Sequence, residues 1–535
     1  MLRNEEDLSL NSYKMLSSVI LFFGVMSIAI GQSPTISPSI PRKQGVAKTI
    51  PGTLTPAQEK YNEGINHFNT ATQSFDSVLI AKNITELQAL ASMPEYRGDP
   101  VVHNLIGYLF LTQNASASAV PELQMATQLK PDDMDARNNL GSALRQLMRY
   151  DEAAAQYQYI VDHAKVTPGS PDTTQTRFNL ATTLGQAGHL DQSLALFGDL
   201  ASANPDAATM KNYGFFLQKV GKTSQAADAL RKSGELNPRD AGAWLSAGEL
   251  YVKTGNNDEA LSALNHALDT GADPPLDAAS TYAAHFALGE VYSSKGNTSE
   301  GVKEFNMASA VQPRNAVPLY NAAVLQEQAG LSSEAETSYR SALSLDPSNL
   351  QIQAALGLLL ADEGKLTEAA TQLSQTAPNL PQDAKAGPIY GRLGDAYAGL
   401  KHTNQAETAW HQALALNPDD TDTQISLAGS YLAQKQYVSA LALYDAAAKA
   451  RPSDAAIQNG RGTAYQKLRQ YPRALIAFRQ ALTLNPHSAR IQNNVGVVLE
   501  LLGKKSQAIQ SYQKSLLLDP NLREARLNLN RFARN

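Results

Sequence analysis

Histidine is the residue type in this chain with the widest chemical use, because an imidazole can bind a metal or transfer a proton near neutral pH. The sequence contains nine histidines and no cysteine. None of the histidines follows the H-E-x-x-H spacing that places two imidazoles on one helix face, and the two nearest, His402 and His411, are nine residues apart. The lack of cysteine excludes zinc ribbons, cysteine nucleophiles and disulfide frameworks. We therefore expect no metal site and no cofactor.

Carboxylates and glycines also lack the spacing of a catalytic site. Adjacent acidic pairs, such as Asp132 with Asp133 and Asp419 with Asp420, lie just before predicted helices. Carboxylates at such places cap free N–H groups and complement the helix dipole. The sequence has no G-x-S-x-G elbow, no Walker loop and no G-x-G-x-x-G after a strand. We therefore predict that the chain is not an enzyme.

The elements that carry these residues repeat with a period of 34. Short phrases such as LKPDD, LNPRD and LDPSN recur, with prolines at 131, 238 and 347. Placing the proline at position 32 gives twelve units, which start at residues 100, 134, 174, 207, 241, 282, 316, 350, 387, 421, 455 and 489. Two segments, 168–173 and 275–281, interrupt the spacing. A fixed period of this length indicates stacked structural units.

Small and bulky side chains occupy fixed positions in each unit. Position 8 is Gly or Ala in all twelve units, and position 24 is Leu, Tyr, Phe or Trp in all twelve. Glycine inside a helix costs about 1 kcal/mol relative to alanine, so its recurrence requires a reason such as the close approach of two helices. We therefore predict two antiparallel amphipathic helices per unit, with the bulky residues filling the gap beside the small ones.

This pattern resembles the tetratricopeptide repeat family over residues 100–522. The segment AWLSAGELY carries Trp244, Gly248 and Tyr251 at the W…G…Y spacing of that family. The resemblance implies an all-α, right-handed superhelical solenoid of about twelve helix-turn-helix units. It also implies that the first helices line a concave surface that binds protein or peptide segments.

Asparagine recurs on the predicted concave surface at position 6 of the repeat. An amide is both donor and acceptor, so a row of amides can hold the backbone of an extended peptide. The row resembles the asparagine ladder in the repeats of O-linked N-acetylglucosamine transferases, but it is interrupted in the other units. The candidate peptide-binding residues are Asn139, Asn179, Asn212, Asn321 and Asn494. The alternative is that they are ordinary solvated polar residues.

The charge of the chain is uneven along its length. The net charge is −5, but residues 455–535 hold 13 Lys and Arg against 3 acidic residues, which gives 13 − 3 = +10 and leaves −15 for the rest. A basic end can meet an acidic protein, an anionic lipid or a polysaccharide, and we expect no nucleic-acid partner. The candidate basic docking residues are Arg461, Lys467, Arg469, Arg473 and Arg479. The alternative is that they are solvated on separate helix faces.

The two ends of the chain differ from the repeats. Residues 15–31 are uncharged and apolar, so we predict that residues 1–31 are a signal peptide or an N-terminal membrane anchor. Residues 32–56 hold five prolines and predict a disordered linker. Residues 57–99 predict a helical N-terminal cap, in which Gly64 and Phe68 resemble the second half of a degenerate repeat. Residues 523–535 predict a C-terminal capping helix.

These features together predict an exported scaffold, membrane-anchored, periplasmic or secreted, that binds other proteins along the concave groove. An open alternative is an accessory or regulatory subunit of a cell-envelope enzyme or export assembly. That subunit would dock through the basic C-terminal repeats.

Overall fold

The computed structural model describes residues 55–74, 76–164, 173–269, 271 and 273–533, which contain 27 α-helices and no β-strand. The contacts divide these residues into an N-terminal unit that ends at Lys295 and a C-terminal unit that begins at Gly296. The boundary lies in the turn of the sixth repeat. The predicted all-α solenoid fold is confirmed.

The N-terminal unit contains thirteen helices. They are α1 (Pro56–Ser74), α2 (Ser77–Ala91), α3 (Pro100–Thr112), α4 (Ser116–Leu129), α5 (Met134–Gln146), α6 (Tyr150–His163), α7 (Thr174–Ala187), α8 (Leu190–Ala203), α9 (Ala207–Lys219), α10 (Thr223–Leu236), α11 (Ala241–Thr254), α12 (Asn257–Ala267) and α13 (Ala278–Ser294). From α3 to α13, odd-numbered helices are the first helices of the repeats.

The C-terminal unit contains fourteen helices. They are α14 (Thr298–Val311), α15 (Val317–Gln328), α16 (Ser332–Leu345), α17 (Leu350–Asp362), α18 (Leu366–Thr376), α19 (Gly387–Gly399), α20 (Thr403–Leu416), α21 (Thr421–Ala433), α22 (Tyr437–Ala450), α23 (Ala455–Lys467), α24 (Tyr471–Leu484), α25 (Ala489–Leu501), α26 (Lys505–Leu518) and α27 (Arg523–Ala533). A short 3-10 helix, Ala377–Asn379, follows α18. From α15 to α25, odd-numbered helices are again the first helices of the repeats.

The two helices of a repeat pack where glycine meets a bulky side chain. A Cβ placed on Gly141 would lie 2.8 Å from the ring of Tyr157, and one on Gly462 would lie 2.6 Å from Phe478. Tyr157 and Phe478 are both fully buried. Position 8 therefore has to be small because the position-24 side chain of the same repeat occupies the space beside it.

The helix ends follow two local rules. Aspartates before first helices are N-caps; the Asp133 carboxylate accepts from the N–H of Ala136 at 3.0 Å, for example. Position 15, in the turn between the two helices, has a positive φ in all twelve repeats, and seven of these residues are glycine. Glycine suits this left-handed backbone because it has no Cβ.

First and second helices form separate layers within each unit. First helices of successive repeats contact each other, as α3 does with α5 and α19 with α21, whereas second helices of successive repeats have fewer mutual contacts. The first-helix layer is therefore the inner layer of each unit. Its surface is the concave surface that the sequence predicted.

Two details differ from the sequence interpretation. Gly64 lies in α1, the first helix of the N-terminal hairpin, where a Cβ would contact Leu87 and Leu90 of α2. It therefore plays the part of position 8, not that of a second helix. The segment 275–281 is not wholly a loop, because α13 begins at Ala278 and gains an extra turn.

No helix of the described residues is both long and apolar enough to cross a bilayer. The predicted signal or anchor in residues 1–31 lies outside the described residues, as does the predicted linker in residues 32–56 up to residue 54. The last residue of that predicted linker, Pro56, is the first residue of α1.

Candidate protein-binding surface

The five candidate asparagines do not share one environment. Asn139, Asn179 and Asn321 are 0%, 1% and 2% exposed, whereas Asn212 and Asn494 are half-buried. Burial at this position arises because the side chain points between successive first helices. Three of the five amides are therefore inaccessible to a peptide in this structure.

Two of the asparagines pair with an asparagine 35 residues earlier, on the preceding first helix. Asn139 Nδ2 donates to Asn104 Oδ1 at 3.0 Å, and Asn494 Nδ2 donates to Asn459 Oδ1 at 3.1 Å. Such amide pairs join successive repeats and fix how they stack. A peptide-binding role for the asparagines remains a prediction, and the accessible members of the set are Asn212 and Asn494.

Two glutamates on adjacent first helices form the most unusual electrostatic feature of the inner layer. Glu249 of α11 and Glu290 of α13 both occupy position 9, and both side chains are half-buried. Burial raises the pKa of Glu249 and that of Glu290 to about 7. Glu290 Oε1 has no hydrogen-bond partner, and neither carboxylate forms an ion pair in the described part of the chain. Neither glutamate was predicted from the sequence, since a glutamate at position 9 of only two repeats gives no periodic signal.

The predicted basic docking residues also differ in environment. Arg461 is already neutralised, because its Nε donates to Asp445 Oδ1 at 2.7 Å. The other four side chains are exposed: Lys467, Arg469, Arg473 and Arg479. Arg473 and Arg479 are six residues apart on α24, so they lie about 120° apart around the helix. Arg473 and Arg479 therefore do not share one face of α24, and the docking role of the five residues remains a prediction.

Arg469 also belongs to a set of cations that recurs at one position of successive repeats. Arg469, Lys435 and Lys401 all occupy position 15, one repeat apart, with φ of 59°, 66° and 63°. All three are exposed, and none forms an ion pair within residues 296–533 as described. We call Lys401, Lys435 and Arg469 the basic row. Comparison of position 15 across the repeats would have revealed it from the sequence.

Stacked helical pairs with an inner layer of this kind define the class of helical-repeat scaffolds. Matches to the tetratricopeptide repeat family cover residues 132–203, 217–281, 320–384, 392–455 and 459–522, which is more than half of the chain. The chain belongs to the tetratricopeptide repeat family. Scaffolds of this type bind other proteins or peptides, and the chain is a protein-interaction scaffold in this general sense.

Several curated proteins are similar to parts of the chain. Human protein O-mannosyl-transferase TMTC3 is 22% identical over 50% of this chain and 26% of its own length. Cellulose synthase operon protein C of Pseudomonas fluorescens is 25% identical over 49% of this chain and 19% of its own length. Type IV pilus assembly protein PilF of Pseudomonas aeruginosa is 27% identical over 34% of this chain and 69% of its own length. The chain thus spans about a quarter or less of the first two proteins.

Solved structures are also similar to the chain. The APC/C hetero-tetramer Cut9-Hcn1 matches 89% of this chain and 96% of the matched chain, at 15% identity and a TM-score of 0.34. YrrB, described as a tetratricopeptide repeat protein with an unusual peptide-binding site, matches 35% of this chain and 94% of its own, at 20% identity and a TM-score of 0.32.

Proposed function

We propose that the chain binds segments of other proteins along its inner layer of first helices, and that the N-terminal unit selects segments with basic side chains. The proposal assigns no catalytic activity to the chain. Its partners are proteins, and the recognition element is a stretch of polypeptide that contacts several repeats at once.

The observation that carries the proposal is the state of Glu249 and Glu290. A half-buried carboxylate without a cation costs free energy, since burial disfavours the charged form. A lysine or arginine of a bound segment would remove that cost and restore the ordinary pKa of both groups. Two such groups on neighbouring first helices give a partner two cation contacts one repeat apart.

A peptide array tests this proposal. The full chain is incubated with 15-residue peptides whose net charge is varied at constant length, and binding is compared with that of the double variant Glu249→Gln/Glu290→Gln. We expect the variant to lose at least tenfold in affinity for the basic peptides and to keep its helicity. The matched control is Glu63→Gln/Glu259→Gln, which removes two exposed glutamates of the same unit. Equal losses from both double variants, or no preference for basic peptides, would refute the selectivity.

We also propose that the chain works outside the cytoplasm. The support is the apolar segment at residues 15–31 together with two similar proteins named for cellulose synthesis and for pilus assembly. N-terminal sequencing of the chain from fractionated cells distinguishes a cleaved signal from a retained anchor. Recovery of the intact chain in the cytoplasmic fraction alone would contradict export.

The basic row favours a second candidate function, that of an accessory subunit docking on an acidic partner. A non-glycine residue in the left-handed region costs about 1 kcal/mol, yet three successive repeats keep a cation there. We expect Lys401→Gln/Lys435→Gln/Arg469→Gln to abolish co-purification of such a partner with the exported chain. The control Lys385→Gln/Lys449→Gln/Lys514→Gln, which changes three other exposed lysines, should retain it. Retention by both triple variants would exclude docking through the row.

A further inference from the structure

A cavity of about 370 Å³ lies between the ninth and tenth repeats, within the C-terminal unit. This volume is near the lower end of the ~300–1,000 Å³ range of ligand sites. The residues that define its chemistry are Asp395 and Ala398 of α19, Thr403 and Trp410 of α20, and Ser426 and Ser430 of α21. The cavity is therefore lined by two first helices and one second helix, and its lining residue Ala398 is exposed.

The cavity exists because α21 presents two serines to α19. Ser426 and Ser430 are four residues apart and therefore lie on one helix face, one turn apart. Ser430 occupies position 10, which is leucine in four other repeats: Leu109, Leu250, Leu325 and Leu359. Position 10 is alanine in three further repeats, so a small residue there is common. What distinguishes this pair of repeats is the combination of Ser426 and Ser430 with Asp395 on the preceding first helix.

The polar groups of the cavity are arranged to accept hydrogen bonds. Trp410 Nε1 donates to Asp395 Oδ1 at 3.0 Å, and the Ser426 hydroxyl also bonds to the Asp395 carboxylate. Ser430 Oγ donates to Glu407 Oε1 at 2.7 Å. Each serine gives its only proton to a carboxylate, so each serine oxygen can only accept further hydrogen bonds. Ser430 Oγ already accepts from Gln434 Nε2 at 3.1 Å, which leaves it one lone pair. Such a surface suits a ligand that only donates.

The charge of the cavity also favours a ligand that donates hydrogen bonds, and specifically a cation. Burial raises the pKa of Asp395, although hydrogen bonds from Ser426 and Trp410 and the charge of Arg392 lower it. Arg392 itself forms an ion pair with Asp362. No ion pair to Asp395 is formed by the residues that the structure describes. The N-terminus of α20 adds only about half a positive charge, so the lining residues that the structure describes include no full cation to offset the Asp395 carboxylate.

We propose that this cavity binds the ammonium group of a lysine side chain from a partner protein. The ammonium has three donors for Asp395, Ser426 and Ser430, and its alkyl stem can lie against Trp410 and Ala398. We expect lysine to fit better than arginine, because a compact ammonium can direct its three donors to three separate oxygens, whereas a guanidinium holds its donors in one plane. The inference rests on the proposed protein-binding function and adds a specific anchor in the other unit.

Trp410 gives a local readout, since the chain has only two tryptophans. In the full chain with Trp244→Phe, Trp410 fluorescence is titrated with acetyl-Gly-Lys-Gly-amide and with peptides in which lysine is replaced by arginine or by uncharged norleucine. We expect a saturable change that is strongest for lysine and absent for norleucine. Norleucine binding as tightly as lysine, or arginine binding at least as tightly, would overturn the assignment.

Two variants locate the binding. We expect Asp395→Asn, which keeps the shape but removes the charge, to weaken lysine binding at least tenfold. Ser430→Leu should abolish it by filling the space while the chain stays helical. The control Glu334→Gln removes an exposed charge from α16 and should leave binding unchanged. Unchanged binding by both cavity variants would overturn the proposal. The readout is independent of Glu249 and Glu290, so the two proposals fail separately.

Discussion

Two neighbouring positions of the first helices are used in opposite ways. Position 8 faces the second helix of its own repeat and is small throughout, while position 9, ~100° further around the helix, differs from repeat to repeat. Position 9 is Glu249 in one repeat, Asp395 in another and Gly429 in a third. Position 8 is therefore fixed by helix packing, whereas position 9 can vary and can contact a partner.

The same substitution at the two positions gives the largest expected contrast. Gly462→Val places a branched side chain where a Cβ already lies 2.6 Å from Phe478, so we expect the unfolding free energy to fall by about 3 kcal/mol. Gly429→Val meets only Tyr444 Oη at 3.9 Å, and we expect a change of no more than about 0.5 kcal/mol. Urea unfolding followed by circular dichroism measures both. Similar losses would contradict the division between the two positions.

A smaller effect is expected at position 6, which lies between successive first helices. Asn139→Ala removes a fully buried amide and leaves Asn104 Oδ1 without its donor, so we expect a loss of about 2 kcal/mol. Asn212→Ala is the matched control, because Asn212 Nδ2 bonds only to Ala208 O of its own helix and the side chain is half-buried.

Urea unfolding of the two alanine variants gives the stability, and the peptide array gives the binding. We expect less than about 0.5 kcal/mol for Asn212→Ala. A loss of peptide binding in that variant would support the predicted role of the accessible asparagines. Equal destabilisation by the two substitutions would contradict the structural role of the Asn139–Asn104 pair.

The sequence predicted the features that repeat. Ten of the twelve first helices begin at the predicted residue, because the prolines and the small residues at position 8 recur with one spacing. The start of α13 was placed four residues too late, since an insertion that continues a helix looks like a loop when only the period is used. The depth of Asn139 was also missed, because periodicity gives the direction of a side chain and not how closely the next helix covers it.

Features that occur once were not predictable in this way. Glu249 and Asp395 occupy the same repeat position, but the pKa shift of each depends on which side chains of the neighbouring helices surround it. Ser426 and Ser430 follow an acidic residue at position 9 of the preceding repeat only in this pair of repeats, so the period gives no signal for the combination. The residues that agree between repeats therefore predict the fold. Candidate recognition sites are the positions at which one repeat differs from the others.

The smallest expected effect concerns the cost of carrying charge at position 9. Both Glu249 and Glu290 have a pKa raised from 4.5 to about 7 by burial, so the folded state binds these protons more tightly than the unfolded state. The carboxylates therefore cost nothing below pH ~4.5, and the unfolding free energy falls as the pH rises from ~4.5 through ~7. The upper limit is about 3 kcal/mol for each group, and we expect about 1 kcal/mol because both are partly solvated.

Urea unfolding at pH 5 and pH 8 tests this cost. Glu249→Gln and Glu290→Gln should each be more stable than the unaltered chain at pH 8 and similar to it at pH 5. Glu336→Gln is the opposite control, because Lys365 and Arg340 lower the pKa of Glu336 and its charge stabilises the fold above that pKa. That variant should lose stability at pH 8. A loss of stability at pH 8 in the position-9 variants would mean that the charged carboxylates already have favourable contacts in the free protein. A basic partner would then gain no free energy by neutralising them.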